Sequence, residues 1–246
     1  MENIVSFDSR QTEIVVHSYD ALCESVSAHP EQLVVLQERE PLTAELLQRY
    51  AVGLGGVLEA RGFGMVRSVR YDAAATTSTA QSLRALAMHS DGSFLECPPS
   101  RFLLGCVRHD QGGGGINTFI HVDDLLEVSP TWVITALLKA DLRFLQTYDG
   151  DLSGSVIAHA LWRSSDDRLR IRWRSDDLYR PQVVRANDTR AEDAVLWLHE
   201  FLQSTEPRQY AARAGETLVV PNTVMLHGRT ALSPYSDREM LRVWVI

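Results

Sequence analysis

Short β-like runs fill the chain from about residue 101 onward, and they restrict the possible folds more than any other feature. In order they are RFLLGCVRH, NTFIHV, LRFLQTY, SVIAHALWRS, RLRIRWRS, RQYAARA, TLVVPN and MLRVWVI. In RLRIRWR, the apolar Leu169, Ile171 and Trp173 alternate with arginines, which is typical of a half-buried antiparallel strand with an exposed arginine face. Two helical patterns interrupt the series, VDDLLEVSPTWVITALLKA and RAEDAVLWLHEFLQS. So few crossover helices favour an antiparallel barrel or jelly roll over a doubly wound parallel sheet.

The first third of the chain has a mixed α and β pattern. PLTAELLQRYAVGLGGVLEARG predicts an amphipathic helix with Thr43 near its cap and its end at Gly62, followed by a strand in FGMVRSV. A second helix is predicted over TAQSLRALAM, which places His89 in the irregular residues after it. The segment QGGGG, residues 111–115, predicts a flexible turn between two strands.

Length and composition suit one domain. With 246 residues, of which 45% are hydrophobic, the chain buries a substantial core, and no linker or internal repeat divides it. The predicted class is mainly β with flanking helices (α+β), arranged as a double-stranded β-helix, or jelly-roll, barrel. We expect a single domain over 1–246, in which helical and strand elements of residues 1–85 pack on a jelly-roll core formed by residues 86–246.

Charge and patterning argue against several partners. The net charge is −8 and no run of Lys or Arg offsets it, so nucleic acid is not expected as a partner. No window approaches 18 apolar residues and the N-terminus lacks a signal-peptide pattern, so no membrane association is expected either. Three cysteines without a disulfide or CxxC spacing fit a reducing cytoplasm. A small-molecule substrate is the remaining expectation.

Two histidines and a carboxylate stand at breaks in the pattern. His89 and Asp91 are two residues apart in AMHSDGSF, and His227 follows a strand that breaks at Pro221 and Asn222. Two histidines and one carboxylate form the facial triad that holds non-haem Fe(II) and leaves coordination positions open. Taken alone, the pair of His89 and Asp91 fits a turn cap at least as well.

Two arginines follow the second histidine. Arg238 and Arg242 are four residues apart in a strand-like segment, a spacing that puts both on one face. Guanidinium groups bind carboxylates through a bidentate fork, so a pair beside a metal would suit a dicarboxylate. The alternative is an exposed basic stripe on an edge strand.

The motifs HSDGSFLECPPSRFLLGCVR, GGGGINTF, VVPNTVMLHGRT and DREMLRVWV occur in this order. Together they resemble the taurine dioxygenase and clavaminate synthase-like family of Fe(II)- and 2-oxoglutarate-dependent oxygenases, from about residue 85 to the C-terminus. The resemblance implies a jelly-roll fold, Fe(II) as the metal, 2-oxoglutarate as co-substrate and O2 as oxidant. It also implies that His89, Asp91 and His227 are the catalytic metal ligands.

The resemblance assigns the co-substrate site as well. Arg238 matches the arginine that pairs with the distal carboxylate of 2-oxoglutarate, and Arg242 matches a neighbour that helps hold co-substrate or substrate. The family usually carries Gly-Gly-x-Thr, whose threonine contacts the same carboxylate. This chain has GGINT instead, so either Asn117 or Thr118 takes that place.

Substrate recognition is less constrained by the sequence. Asp176 and Asp177, at the end of a long strand, are candidates to meet an amine or guanidine of the substrate, although acidic residues in a turn are commonly solvated. Ser93, Glu96 and Arg101 lie close to the metal motif and are further candidates to line the pocket. The expected substrate is a small amine-bearing molecule, such as an amino acid or a specialised-metabolite intermediate. In related halogenases a small residue replaces the carboxylate ligand. Because Asp91 is present here, the resemblance favours hydroxylation, desaturation or ring formation over halogenation, with hydroxylation as the leading expectation.

Two other functions fit parts of the pattern. One is a cupin-like jelly-roll protein that binds a metal or ligand without oxygenation. The other is a zinc hydrolase, which is disfavoured because no general base is evident and the two arginines would have no role. The sequence leaves open the target carbon, whether the chain forms a homo-oligomer, and whether its substrate arrives free or on a carrier protein.

Overall fold

The computed structural model describes residues 13–38, 41–59, 65–74, 79–148, 151–176, 180–185 and 189–246. The first elements are β1 (Ile14–Val16), α1 (Tyr19–Ala28), β2 (Val34–Gln37), α2 (Ala44–Gly53), β3 (Val66–Arg70), a 3₁₀ turn (Thr79–Gln81), β4 (Leu86–His89), β5 (Arg101–Arg108) and β6 (Asn117–His121). There follow α3 (Val122–Val128), α4 (Thr131–Lys139), β7 (Leu142–Tyr148), β8 (Asp151–Ala158), β9 (Leu161–Arg163), β10 (Leu169–Ile171) and β11 (Gln182–Val183). The last elements are α5 (Thr189–Ser204), β12 (Arg208–Tyr210), β13 (Glu216–Val220), β14 (Met225–Arg229) and β15 (Glu239–Val245).

The largest sheet has the strand order β1-β2-β13-β5-β15-β3. Every pair in it is antiparallel except β1 with β2. Residues of one parity, such as Leu103, Val219 and Val243, pack beneath helices α1 and α2. The alternate residues, among them Phe102 and Trp244, face the other way. This alternation gives the sheet two apolar faces.

A second, four-stranded sheet has the order β12-β6-β14-β4 and is antiparallel throughout. Its Phe119 and Met225 pack against the inner face of the large sheet, so the two sheets face each other. The opposite side, including Ile120 and Leu226, packs on helices α3, α4 and α5. The described chain is therefore mainly β with helices on the outer faces, and the space between the sheets holds the candidate site. The expectation of a single domain over 1–246, with elements of residues 1–85 packed on a core of residues 86–246, stays a prediction.

The predicted helix over TAQSLRALAM is wrong. Only its start is helical, as the 3₁₀ turn, and Leu86–His89 is strand β4. The reason is tertiary: β4 pairs with β14, which places Leu86 opposite Arg229 and His89 opposite His227. Sheet pairing outweighs the helix preference of Leu, Ala and Met here. His89 is consequently the last residue of a strand rather than the first after a helix.

Two further helix boundaries differ from the prediction. Thr43 does cap α2, since its hydroxyl accepts a hydrogen bond from the Leu46 N–H at 3.2 Å. The helix ends at Gly53 instead of Gly62, which lies outside the described residues, because the chain turns back and Val57 bridges to Val245. The segment predicted as one helix over VDDLLEVSPTWVITALLKA is two, α3 and α4, because Pro130 lacks an N–H and disfavours helix in the residue before it.

The predicted arginine face of RLRIRWR is only partly exposed. Strand β10 ends at Ile171, and the next residue, Arg172, is buried, with 5% of its surface exposed. Its guanidinium lies over the rings of Phe144 and Trp162 and donates to the Glu96 carbonyl at 2.9 Å. Among the described residues, no helix is both long enough and apolar enough to cross a membrane.

Burial predicts very different reactivity for the cysteines. Cys97 is exposed, whereas Cys106 lies in the core between the sheets. Burial raises the pKa of the Cys106 thiol to about 11. At pH 8 its thiolate fraction is then about 10²-fold below that of an ordinary thiol. We expect iodoacetamide, followed by mass spectrometry, to modify Cys97 in the folded protein at least that much faster than Cys106. Equal rates in the native protein would contradict this packing.

Candidate metal site and its cavity

Two histidines face each other across neighbouring strands. His89 ends β4 and His227 lies in β14, and the two residues are direct partners in the antiparallel register. Cross-strand partners project to the same side of a sheet, so both imidazoles point into the space between the sheets. Their ring centroids are 4.2 Å apart, and the Phe102 ring of the large sheet lies 4.3 Å from that of His227.

Asp91 completes the group two residues after β4. Its Oδ1 is 3.7 Å from Nε2 of His89 and 3.9 Å from Nε2 of His227. One ligand atom from each of the three residues lies within 4.8 Å of the others, and all three residues are buried. Two imidazole nitrogens and one carboxylate are the donor set that suits non-haem Fe(II). The sequence-predicted triad is therefore brought together, and its chemistry fits that metal.

Hydrogen bonding prepares the first imidazole for a metal. Nδ1 of His89 lies 2.9 Å from the Ala87 carbonyl oxygen, which accepts only if Nδ1 carries the proton. Nε2 of the neutral ring then has a free lone pair toward Asp91 and His227. This backbone contact is the kind of support that fixes the tautomer of metal-binding histidines.

The charges in the group also favour metal binding. Burial alone would raise the pKa of Asp91, but the Arg242 guanidinium and the two histidines hold it well below its usual range. Burial, reinforced by neighbouring His89, lowers the pKa of His227 well below its usual value. Near neutral pH the site therefore presents an ionised carboxylate and a neutral His227, which are the forms that bind metals.

Asn222 holds the Asp91 loop in place, and the sequence reasoning missed it. Its Oδ1 accepts from the Asp91 N–H at 2.7 Å, and its Nδ2 donates to the carbonyls of Asp91 at 2.9 Å and Pro99 at 2.8 Å. The side chain is completely buried. The strand break at Pro221 and Asn222 marked this position, but only the fold shows that it reaches 131 residues back along the chain.

A cavity of about 500 Å³, counted to its open mouth, adjoins the two histidines. It is lined by Val69, Ala80, Leu86, His89, Phe102, Leu104, Asn117, Phe119, His227, Gly228, Arg229, Arg238 and Arg242. Arg242 lies in β15, and Arg238 lies one residue before that strand begins. Four residues of extended chain span about 13 Å, so the cavity runs along β15 toward its start. It thus combines apolar walls with three arginines.

The Arg238 part of the cavity is tightly built. Arg238 has 6% of its surface exposed and donates from Nη2 to Oδ1 of Asn117 at 3.2 Å. Asn117 therefore lies on the cavity, whereas the hydroxyl of Thr118 points to Sδ of Met88, 3.8 Å away. Gly115 has a φ of +68°, and a Cβ there would lie 2.7 Å from Cδ of Arg238. Glycine at this position leaves the arginine its space.

Arg229 is a second buried cation on the cavity that the sequence reasoning left without a role. Its Nη2 donates to the carbonyls of Ser82 at 3.0 Å and Arg84 at 3.1 Å, which ties the segment before β4 to β14. Burial, with the neighbouring Arg238, lowers its pKa to about 10, so it stays cationic at neutral pH. The HGR motif contained it, two residues after His227.

Arg242 lies on the cavity and also contacts the metal group directly. Its Nη1 donates to Oδ1 of Asp91 at 2.8 Å, and Trp244 donates from Nε1 to Oδ2 of the same carboxylate at 2.8 Å. Trp244 was not anticipated. The signal for it was its parity, because a residue two positions after Arg242 in a strand shares its face.

The candidate substrate residues lie apart from this cavity. Among the described residues, Ser93, Glu96, Arg101 and Asp176 do not line it. Ser93 is buried and Glu96 is exposed. Asp176 accepts from Nε of Arg174 at 3.4 Å, and Arg101 donates to the Pro30 carbonyl at 3.4 Å. Asp177 lies outside the described residues.

Comparisons with known proteins agree with this geometry. A family model described as taurine catabolism dioxygenase TauD, TfdA family, matches residues 29–244. A sequence search of curated proteins finds no significant match.

Solved structures share the fold at low sequence identity. An asparagine oxygenase in complex with Fe(II), 2S,3S-3-hydroxyasparagine and succinate has a TM-score of 0.75 and 22% identity, over 92% of this chain and 79% of the other. The non-heme iron oxygenase OrfP in complex with Fe, succinate and (3S)-hydroxy-L-Arg has a TM-score of 0.72 and 18% identity, over 93% and 79%. OrfP with Fe and alpha-ketoglutaric acid has a TM-score of 0.71 and 18% identity, over 92% and 78%.

The Asn222 contacts predict a measurable cost. Asn222→Ala removes three hydrogen bonds and leaves buried backbone groups unpaired, so we expect a loss of about 3 kcal/mol in the free energy of unfolding. For a chain of this size that corresponds to a Tm lower by roughly 6–12 °C. Calorimetry of the metal-free protein measures it. Gln203→Ala, which removes one exposed contact on α5, is the control and should change Tm by less than about 2 °C.

Proposed function

Because this chain belongs to the TauD/TfdA family and is a 2-oxoglutarate-dependent non-haem iron oxygenase, we propose that it hydroxylates an unactivated C–H bond of a small amine-bearing substrate. The observation that carries the proposal is the convergence of His89, Asp91 and His227 beside a cavity with buried arginines. In this proposal the substrate is an amino acid or a specialised-metabolite intermediate.

The three converging residues are the proposed metal ligands. Bound Fe(II), with O2 and 2-oxoglutarate, supplies the oxidising power for C–H hydroxylation, and succinate and CO2 are the co-products. The protein itself positions the ligand side chains and surrounds the site with an apolar cavity lining. His89 and His227 are fixed by the strand register, the backbone of Asp91 is held by Asn222, and the apolar rings of Phe102 and Phe119 line the cavity.

We propose that Arg238 binds the distal carboxylate of 2-oxoglutarate, with Asn117 beside it. Two observations support this proposal: Arg238 donates a hydrogen bond to Asn117 on the cavity wall, and the Arg238 side chain is buried. A buried guanidinium is costly unless an anion pairs with it, so a carboxylate ligand stabilises this part of the site. Arg242, on the same wall, is proposed to contact co-substrate or substrate in addition to Asp91.

The amino-acid substrate class is supported by the neighbours, whose complexes contain hydroxyasparagine and hydroxy-L-Arg. Asp176 remains the proposed partner of a substrate amine. Its carboxylate also pairs with Nε of Arg174 at 3.4 Å. Ser93, Glu96 and Arg101, which do not line the described cavity, remain proposed substrate contacts near the metal loop. For the fold, the facing six-stranded and four-stranded sheets support a double-stranded β-helix, the jelly-roll arrangement.

Two measurements test the function. Anaerobic addition of Fe(II) and 2-oxoglutarate should produce a weak visible metal-to-ligand charge-transfer band, and an amino-acid panel should contain a substrate that raises succinate formation above the uncoupled background. His227→Ala should abolish both, with a loss of at least about 10²-fold in turnover, whereas His109→Ala, an exposed histidine, should change neither. Metal binding without the band or succinate would instead indicate a jelly-roll binding protein.

The Gly115 contact gives a separate prediction for the co-substrate. Gly115→Ala places a methyl group against Arg238, so we expect KM for 2-oxoglutarate to rise at least about tenfold while Fe(II) affinity stays within about twofold. Gly113→Ala is the matched control, because Gly113 also has a positive φ, +80°, but no heavy atom lies within 4 Å of the added Cβ. Steady-state kinetics distinguish the two. An equal rise in both variants would trace the effect to the backbone rather than to Arg238.

A further inference from the structure

Two side chains of one strand reach the same carboxylate. Arg242 and Trp244 are two residues apart in β15 and share its inner face. Their register partners in β5 are Leu104 and Phe102, both of which line the cavity. From this face Arg242 and Trp244 each donate a 2.8 Å hydrogen bond to Asp91, to different oxygens.

The two oxygens of Asp91 are therefore not equivalent. Oδ1 is the atom near Nε2 of both histidines, and it also receives the guanidinium. Oδ2 receives the indole N–H of Trp244. The indole nitrogen is a donor only and does not titrate, so the direction of this bond does not change with pH.

The χ2 preference of Asp91 does not by itself decide which carboxylate oxygen faces the histidines. The χ2 angle of an aspartate is broad and roughly two-fold, so a carboxylate turns readily unless its oxygens are held. Trp244 is itself fixed, because 5% of its surface is exposed and it packs with Phe94, Phe102 and Phe119. Arg242 donates to Oδ1, the oxygen that faces the histidines, so it does not hold Oδ2. The rigid indole N–H of Trp244 is the group that holds Oδ2 on the other side.

We propose that Trp244 is a positioning residue that turns Oδ1 of Asp91 toward the two imidazoles and holds Oδ2 away from the metal. Carboxylates bind metals through one oxygen or through both. With Oδ2 held by the indole, Asp91 supplies a single ligand atom, and the position that a second oxygen would fill stays open for co-substrate or oxidant. This inference rests on the proposed function, because it requires that His89, Asp91 and His227 bind Fe(II).

Metal affinity measured without co-substrate is the first test. Trp244→Phe keeps an aromatic ring in the core and removes the N–H, so we expect Kd for Fe(II) to rise about 10–100-fold, the usual effect of losing a partner of a metal ligand. Kd for 2-oxoglutarate at saturating Fe(II) should also rise, by at least about threefold, because the freed Oδ2 then competes for the position that the co-substrate needs. Trp132→Phe, at a partly exposed site on α4, is the matched control and should leave both unchanged. Unchanged Fe(II) affinity in a folded Trp244→Phe protein overturns the proposal.

A second test needs no Trp244 variant and so does not depend on its folding. The chain has five tryptophans, so at most five indole N–H resonances are expected in an NMR spectrum of the metal-free protein. The Trp244 resonance should move when Asp91→Ala removes its acceptor, and again when Zn(II) is added to the wild type as a diamagnetic probe. A Trp244 resonance that responds to neither change overturns the proposal.

The outcomes separate this inference from the function itself. If the wild type binds no Fe(II) and forms no succinate, the proposed function fails. If the wild type does both and Trp244→Phe binds Fe(II) equally well, the function stands and only the role of Trp244 fails.

Discussion

The antiparallel pairing of β4 with β14 is the constraint on which the site depends. It places His227 directly opposite His89, so that one register fixes the separation and direction of two imidazoles at once. A slip of β4 by one residue would turn His89 to the opposite face of the sheet, away from His227. β14 is itself held on its other edge by β6, with His227 opposite Phe119. The third candidate ligand then needs only a short turn after β4, which Asn222 holds in place.

The facing sheets divide the remaining tasks between them. The four-stranded sheet carries the histidines, and the large sheet supplies Arg242 and Trp244 to the carboxylate. Before any metal binds, this contact neutralises the buried negative charge of Asp91, which would otherwise be costly in the core. Phe102 and Leu104, inner residues of β5, line the cavity, and the outer residues of β5 and β15 pack on α1 and α2. A single strand alternation therefore serves both stability and site construction.

Much of this could be predicted from the sequence, and the exceptions share a cause. Strands with a clear β-like run of residues, such as the one beginning at Arg101, were predictable from local pattern. The order of His89, Asp91 and His227 was predictable from motif spacing. Strand β4 was not, since its residues favour helix and only its partner strand makes it extended. The same holds for Arg172, whose burial is set by two aromatic rings from other strands.

Asn222 and Trp244 show the same limit at the level of single contacts. Each acts on Asp91 from more than 130 positions away in the chain, a distance over which no periodicity carries information. Parity along β15 placed Trp244 on the same face as Arg242, but the identity of its acceptor required the packed sheets.

The turn of residues 111–115 looks, from its composition, like the most adaptable part of the chain. Its neighbours indicate otherwise. A side chain on Gly112 would meet Cβ of Ser233 at 2.4 Å, one on Gly114 the Ala231 carbonyl at 2.5 Å, and one on Gly115 the stem of Arg238. At these three glycines other groups occupy the space that a side chain would need, whereas Gly113 has open space beside it. This turn is therefore a poor site for insertions or for redesign of substrate range, since altering it alters the part of the cavity that Arg238 lines.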